Sequence, residues 1–184
     1  HGRAAHAGNN HADGANAIWA LSRFVDRAQQ LTDYPRGVTI NVGKLGGGQG
    51  KNTVPDLAVA ELDLRFQTRA DAQWLMEQLG AAAQAAASSV KGTRLELTGG
   101  PARLPMERSE QSLALLDAYA RCARAHGLGA DEAPRAGGGS DACTSAAMGI
   151  PTIDALGPRG EGFHTVDEYI EAKTLLSRAQ ALAD

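Results

Sequence analysis

Two segments have residue types that could do chemistry: Gly137-Gly138-Gly139-Ser140-Asp141 and, further on, Gly162-Phe163-His164-Thr165. Consecutive glycines free the backbone to take positive φ and bring N–H groups close to a ligand, which suits an anion or an oxyanion. Ser140 stands where its hydroxyl can cap a following helix. His164 lies between a Gly-Pro-Arg-Gly-Glu-Gly loop and an expected helix, a place where loop residues carry chemistry, and it could ligate a metal. A catalytic zinc, however, needs about three protein ligands. No H-E-x-x-H, no C-x-x-C and no close histidine pair on a helix occurs, so these residues alone do not close such a site.

The elements that must position these residues follow from periodicity. A first strand is expected over residues 3–6. Residues 16–31 read as an amphipathic helix with Ile18, Leu21, Val25 and Ala28 on one face, stopped by Pro35-Arg36-Gly37. Strands follow over 38–42 and 57–66, separated by the loop Gly46-Gly47-Gly48-Gln49-Gly50. The second alternates Val59, Glu61, Asp63 and Arg65 against Ala58, Ala60, Leu62, Leu64 and Phe66, so one sheet face is polar. A second helix over 69–88, with Trp74, Leu75, Met76 and Leu79 as core candidates, and a strand over 94–98 complete a βαββαβ, ferredoxin-like, two-layer unit. After the turn-rich 101–105, long helices over 109–126 and 167–183 flank a short apolar strand over 150–155. The fold class is therefore α/β: an α+β domain over residues 1–104, then residues 105–184 as the C-terminal portion of a larger α/β domain.

Composition narrows the function. The chain has 184 residues, 43% hydrophobic and 21% charged, with a formal net charge of -3, an ordinary globular balance. Its basic residues are scattered, which argues against nucleic acid or an anionic membrane as partner and favours a small molecule or peptide. No apolar run approaches a membrane span and no signal-peptide pattern opens the chain. The two cysteines, Cys122 and Cys143, have neither metal spacing nor disulfide-scaffold density, so a cytoplasmic setting is expected.

Taken in order, Gly2-Arg3-Ala4-Ala5-His6-Ala7-Gly8, Lys51-Asn52-Thr53-Val54-Pro55, Leu62-Asp63-Leu64-Arg65-Phe66, Gly137-Gly138-Gly139-Ser140-Asp141-Ala142 and Gly162-Phe163-His164-Thr165 resemble the dizinc aminoacylase and carboxypeptidase family, on the side of glutamate carboxypeptidase. The resemblance implies that the first domain is a lid that makes a homodimer, with His6 reaching the partner's active site. It implies that Asn52 and Arg65 bind substrate, Arg65 by bidentate pairing with the carboxylate of the released amino acid. It further implies that Gly138, Gly139 and Ser140 hold substrate and that His164 is the last zinc ligand of a two-zinc centre. The family's other ligands and its general-base glutamate precede the lid, so this chain alone is expected to bind zinc weakly and to be inactive. The implied parent is a zinc-dependent hydrolase releasing an amino acid such as glutamate from an N-acyl or peptide substrate. A carbamoyl amino acid is a variant of that reading. The alternative from another class is a noncatalytic dimerisation or substrate-binding module.

Simpler roles stand beside these. His6 could be a strand histidine bonded to a neighbour, His11 a loop residue, and His126 a helix cap. Arg65 could pair with Asp63 or Glu61, and Asn52 could form a turn before Pro55. Gly46 to Thr53 is not a phosphate loop, because Asn52 stands between Lys51 and Thr53 and a strand follows. Ser140 has no histidine near in sequence to activate it as a nucleophile.

Overall fold

A computed structural model describes residues 1–134 and 139–184. The chain divides into two compact units, His1–Pro105 and Met106–Asp184.

The first unit opens with β1 (Ala5–His6) and a short 3-10 turn, then α1 (Ala17–Gln29), β2 (Thr39–Gly47), β3 (Thr53–Val54), β4 (Ala58–Arg65) and α2 (Arg69–Ser89). Asn16 starts α1 by accepting the Trp19 N–H at 2.8 Å. Its buried face is Ala17, Ala20, Leu21, Phe24 and Ala28, which corrects the expected face: Ile18 is exposed and Phe24 is at the centre of the core. The small residues explain the rotation, because alanines on α1 lie towards α2, whose buried face is itself rich in alanine (Ala72, Ala83, Ala86). Leu21, Phe24 and Ala28 pack with Val38, Ile40, Leu75 and Leu79, so both helices cover one face of the β2–β4 pair. Trp74 and Met76 join this core only in part.

β2 and β4 are antiparallel, with Ile40 opposite Leu64 and Val42 opposite Leu62. A bulge at Gly43 then shifts the register, so that Lys44 meets Glu61 and Leu45 meets Ala60. The expected loop at Gly46 and Gly47 is instead the end of β2. Gly47 makes this possible, because a Cβ there would lie 2.6 Å from the Leu57 carbonyl oxygen and 2.8 Å from Ala58 Cα. The polar face of β4 is as expected, with Val59, Glu61, Asp63 and Arg65 outward. β1 and β3 form a separate antiparallel pair.

The strand expected over 94–98 does not form. Arg94 exchanges backbone hydrogen bonds with His1 at 3.0 and 2.9 Å, but the next residues leave that line: Gly2 donates to Asp56 and Arg3 to Ala15. A strand needs a continuing ladder.

The N-terminus of α2 is held tightly. Thr68 accepts the Asp71 N–H at 3.0 Å and donates its hydroxyl to the Asp71 carboxylate at 2.7 Å. The same carboxylate pairs with Arg36 Nε, and the Arg36 guanidinium lies 4.2 Å from the Trp74 ring centroid.

The second unit comprises α3 (Glu110–Ala125), α4 (Ala142–Ala147), β5 (Gly160–Glu161), β6 (Tyr169–Ile170) and α5 (Ala172–Ala183). Ser109 caps α3 by accepting the Ser112 N–H at 3.1 Å. His126 forms the C-terminal cap, and its Nε2 lies 2.7 Å from Asp184 Oδ2. The α3 and α5 helices meet through small residues, with Ala120, Ala123, Thr174 and Ala181 buried. Leu113, Leu116 and Ile153 are partly covered, whereas Leu115, Leu175, Leu176 and Leu182 are exposed.

Two further expectations fail in this unit. Residues 150–155 form no strand: the Thr152 hydroxyl bonds back to the Ile150 carbonyl, and Ala155 takes φ 61, which ends an extended run. The last helix starts at Ala172 and not at Asp167, because Gly162 (φ 74) and His164 (φ 65) turn the chain so that β5 and β6 pair as a hairpin.

Candidate functional site

The β1–β3 pair sets the geometry around His6. His6 lies opposite Thr53, and the Ala7 N–H donates to the Asn52 carbonyl at 2.9 Å. His6 and Asn52 are thus brought to adjoining positions by backbone pairing alone. Downstream, residues Ala7 to Asn10 fold back on the histidine. Gly8 N–H and Asn9 N–H both donate to His6 Nδ1 at 3.1 Å. Asn10 Oδ1 accepts the His6 N–H at 2.9 Å, and the Asn10 N–H donates to the His6 carbonyl at 3.1 Å. Reasoning from the sequence missed these three residues, although Gly-Asn-Asn directly after a strand is a turn signal.

Arg65 ends β4, opposite Thr39, on the other strand pair from His6 and Asn52. Its Nε donates to Asp63 Oδ2 at 2.8 Å, and both side chains are more than half exposed. The guanidinium is thus open to solvent, and a planar fork of this kind suits a carboxylate. A groove of about 430 Å³ runs along the opposite end of the β2–β4 pair, past Lys44, Gly47, Leu57 and Glu61. It contains none of the residues singled out for chemistry, so donor geometry is the better guide to the site than concavity.

In the second unit, Gly138 lies outside the described residues. The helix after Gly139 is capped at Asp141 without a side-chain bond. The Ser140 hydroxyl accepts the Ala142 N–H at 3.1 Å, so Ser140 stabilises the turn and does not occupy the cap position. His164 is exposed in a left-handed conformation, and its backbone N–H donates to Glu168 Oε2 at 3.1 Å. Glu168, four residues on, was not foreseen. Among the described residues no group of three or more His, Cys, Asp or Glu could hold a metal ion. His164 is therefore a single candidate ligand, and the described residues do not fit a complete catalytic metal centre. Cys122 and Cys143 are free thiols.

These features define a class. Residues 1–91 match the family of peptidase dimerisation domains, and over that span the chain belongs to it. Beyond the domain, the chain is similar to carboxypeptidase G2 of Pseudomonas sp. (strain RS-16), with 31% identity over 180 residues, covering 96% of this chain and 42% of that protein. Its structure is similar to that of a tripeptidase from Staphylococcus aureus, with a TM-score of 0.75 and 26% identity, covering 98% of this chain and 47% of that one. It also shares the fold of a dinuclear metal binding peptidase of the M20 family from Bacillus subtilis, with a TM-score of 0.71 and 20% identity, covering 92% of this chain and 45% of that one. The chain is thus a relative of M20 peptidases that spans less than half the length of each of these proteins.

Proposed function

We propose that this chain is the dimerisation and substrate-holding part of a zinc-dependent amide hydrolase that releases an amino acid such as glutamate from an N-acyl or peptide substrate. The observation that carries the reading is the juxtaposition of His6 and Asn52 on the paired β1 and β3 strands of a peptidase dimerisation domain. In this reading His6 donates a hydrogen bond to the oxygen of the bond under attack, across a homodimer. Asn52 and Arg65 hold the carboxylate of the released amino acid. Gly138, Gly139 and Ser140 border the substrate on the second unit, which is the C-terminal segment of the catalytic domain. His164 is this chain's own candidate zinc ligand, and a two-zinc centre draws its remaining ligands from outside the described residues. Three relatives described as peptidases support a hydrolase, and the described helices include none long and apolar enough to cross a membrane. The two free thiols support a cytoplasmic setting.

The test is metal analysis of the full-length protein together with hydrolysis of an N-acyl glutamate and dipeptide panel. About two zinc ions per protomer and turnover that falls on His6→Ala or Arg65→Ala is the expected result. A full-length protein that dimerises but holds no metal and turns over nothing on the panel overturns it in favour of a noncatalytic binding module.

A further inference from the structure

The ring of His6 is fixed more closely than its exposed position on β1 requires. Both groups that approach Nδ1, the N–H of Gly8 and the N–H of Asn9, can only donate, so the atom facing them must accept. Turning the ring over would place a carbon there and strand both donors. Ring orientation and tautomer are therefore set together: the neutral imidazole carries its proton on Nε2, on the far side of the ring from the turn. The turn is itself braced from below. Asn10 holds the His6 backbone through its side-chain oxygen and its N–H, and the Asp13 N–H donates to the Asn10 carbonyl at 3.0 Å.

We propose that Gly8 and Asn9 are positioning residues that hold the His6 ring in one orientation and one tautomer, presenting Nε2–H to an oxygen acceptor of the carbonyl or oxyanion class. Preorganisation of such a donor is what makes it effective. The identity of that oxygen as part of a scissile amide rests on the function proposed above; the tautomer lock does not.

The experiment is nitrogen-15 NMR on the labelled chain, with the His6 ring assigned by its loss in His6→Gln. The expected result has three parts. Nδ1 gives a fully unprotonated resonance and Nε2 a fully protonated one in the neutral ring. A coupling passes through the hydrogen bond between Nδ1 and the amide nitrogens of Gly8 and Asn9. Asn9→Pro, which deletes one donor, and Asn10→Ala, which loosens the turn, move Nδ1 towards the average of the two tautomers. Gly8→Ala is the control, since its Cβ would meet His6 Cε1 at 3.5 Å and Nδ1 at 3.6 Å, an ordinary contact that keeps the N–H. Averaged tautomers without coupling in the unmodified chain, or a protonated Nδ1, overturn the proposal. Neither readout needs substrate, metal or turnover. If the lock is seen and His6→Gln leaves turnover of the full-length protein unchanged, the proposed function fails alone; if turnover collapses and no lock is seen, this inference fails alone.

Discussion

The carboxylate of Asp71 is paired with the Nε of Arg36, which ties the first turn of α2 to the turn that precedes β2. Asp71 is buried, and its pKa is lowered from 3.8, first by the Thr68 hydroxyl and then by Arg36, against the opposing effect of burial. A carboxyl whose folded pKa lies below its unfolded value stabilises the fold above the unfolded value and loses that contribution as pH falls through the folded one. Below about pH 4 the melting temperature is therefore expected to drop more steeply in the unmodified chain than in Asp71→Asn. At neutral pH Asp71→Asn is expected to cost about 1–3 kcal/mol, because it leaves Arg36 and Thr68 with a weaker partner. Thermal melts at acid and neutral pH check both; parallel curves for the two proteins would show that the pair contributes nothing.

Two glycines have opposite expected responses to alanine. Gly47→Ala forces a methyl group against backbone atoms of Leu57 and Ala58, so it opens the end of the β2–β4 pair and lowers stability by about 1–3 kcal/mol. Gly80 lies inside α2 with nothing within 4 Å of the added carbon, and Gly80→Ala is expected to stabilise by about 0.5–1 kcal/mol. Urea unfolding of both variants checks the contrast, and equal signs would refute it.

Arg65 makes a solvent-exposed pair with Asp63, and such pairs contribute about 0–1 kcal/mol to stability. Arg65→Ala should thus leave the melting temperature nearly unchanged. If Arg65 holds a substrate carboxylate, the same change in the full-length protein removes a charge-assisted hydrogen bond and raises KM about 10- to 100-fold. Steady-state kinetics beside thermal melts separates the two roles, and an unaltered KM would remove Arg65 from the site.

Leu175 and Leu182 are seven residues apart on one face of α5, and both are more than half exposed. The chain is expected to bind a hydrophobic dye and to self-associate with rising concentration, and Leu175→Glu with Leu182→Lys should suppress both. Sedimentation at several concentrations would show it; a concentration-independent species would mean that these leucines are harmless.

What could be read from the sequence was what local pattern decides. The alternation over Ala58 to Phe66 identified the two faces of β4 because period-two burial is written residue by residue. The helices expected from residues 16, 69 and 109 start where periodicity placed them, and the structure shows Asn16, Thr68 and Ser109 capping them. Elements that depend on a distant partner were misread: the 94–98 strand lost its ladder because Gly2 and Arg3 pair elsewhere, and β2 ran on through glycines because Ala58 lies beside them. His6, Asn52 and Arg65 were singled out through motif resemblance, and His164 first by its place in a glycine-rich loop. The turn that holds the His6 ring was not, since hydrogen bonds from Gly8 and Asn9 to a side chain leave no periodic trace. Likewise, the hairpin at His164 depends on a positive φ in a residue other than glycine, which propensity disfavours.

The bulge at Gly43 behaves as a phase shift in the alternation of β2. Upstream of it, even-numbered Ile40 and Val42 oppose Leu64 and Leu62; downstream, odd-numbered Leu45 opposes Ala60, while Lys44 reaches Glu61 at 3.1 Å on the outer face. Deleting Gly43 would therefore remove the bulge and leave a regular ladder with the same pairs, Val42 with Leu62, then Lys44 with Glu61 and Leu45 with Ala60. The bulge absorbs one extra residue, so both halves of β2 keep their faces against β4 although their numbering differs in parity. A relative lacking a residue here could keep the same two faces with no compensating change in β4, at the cost of the local twist that the bulge adds.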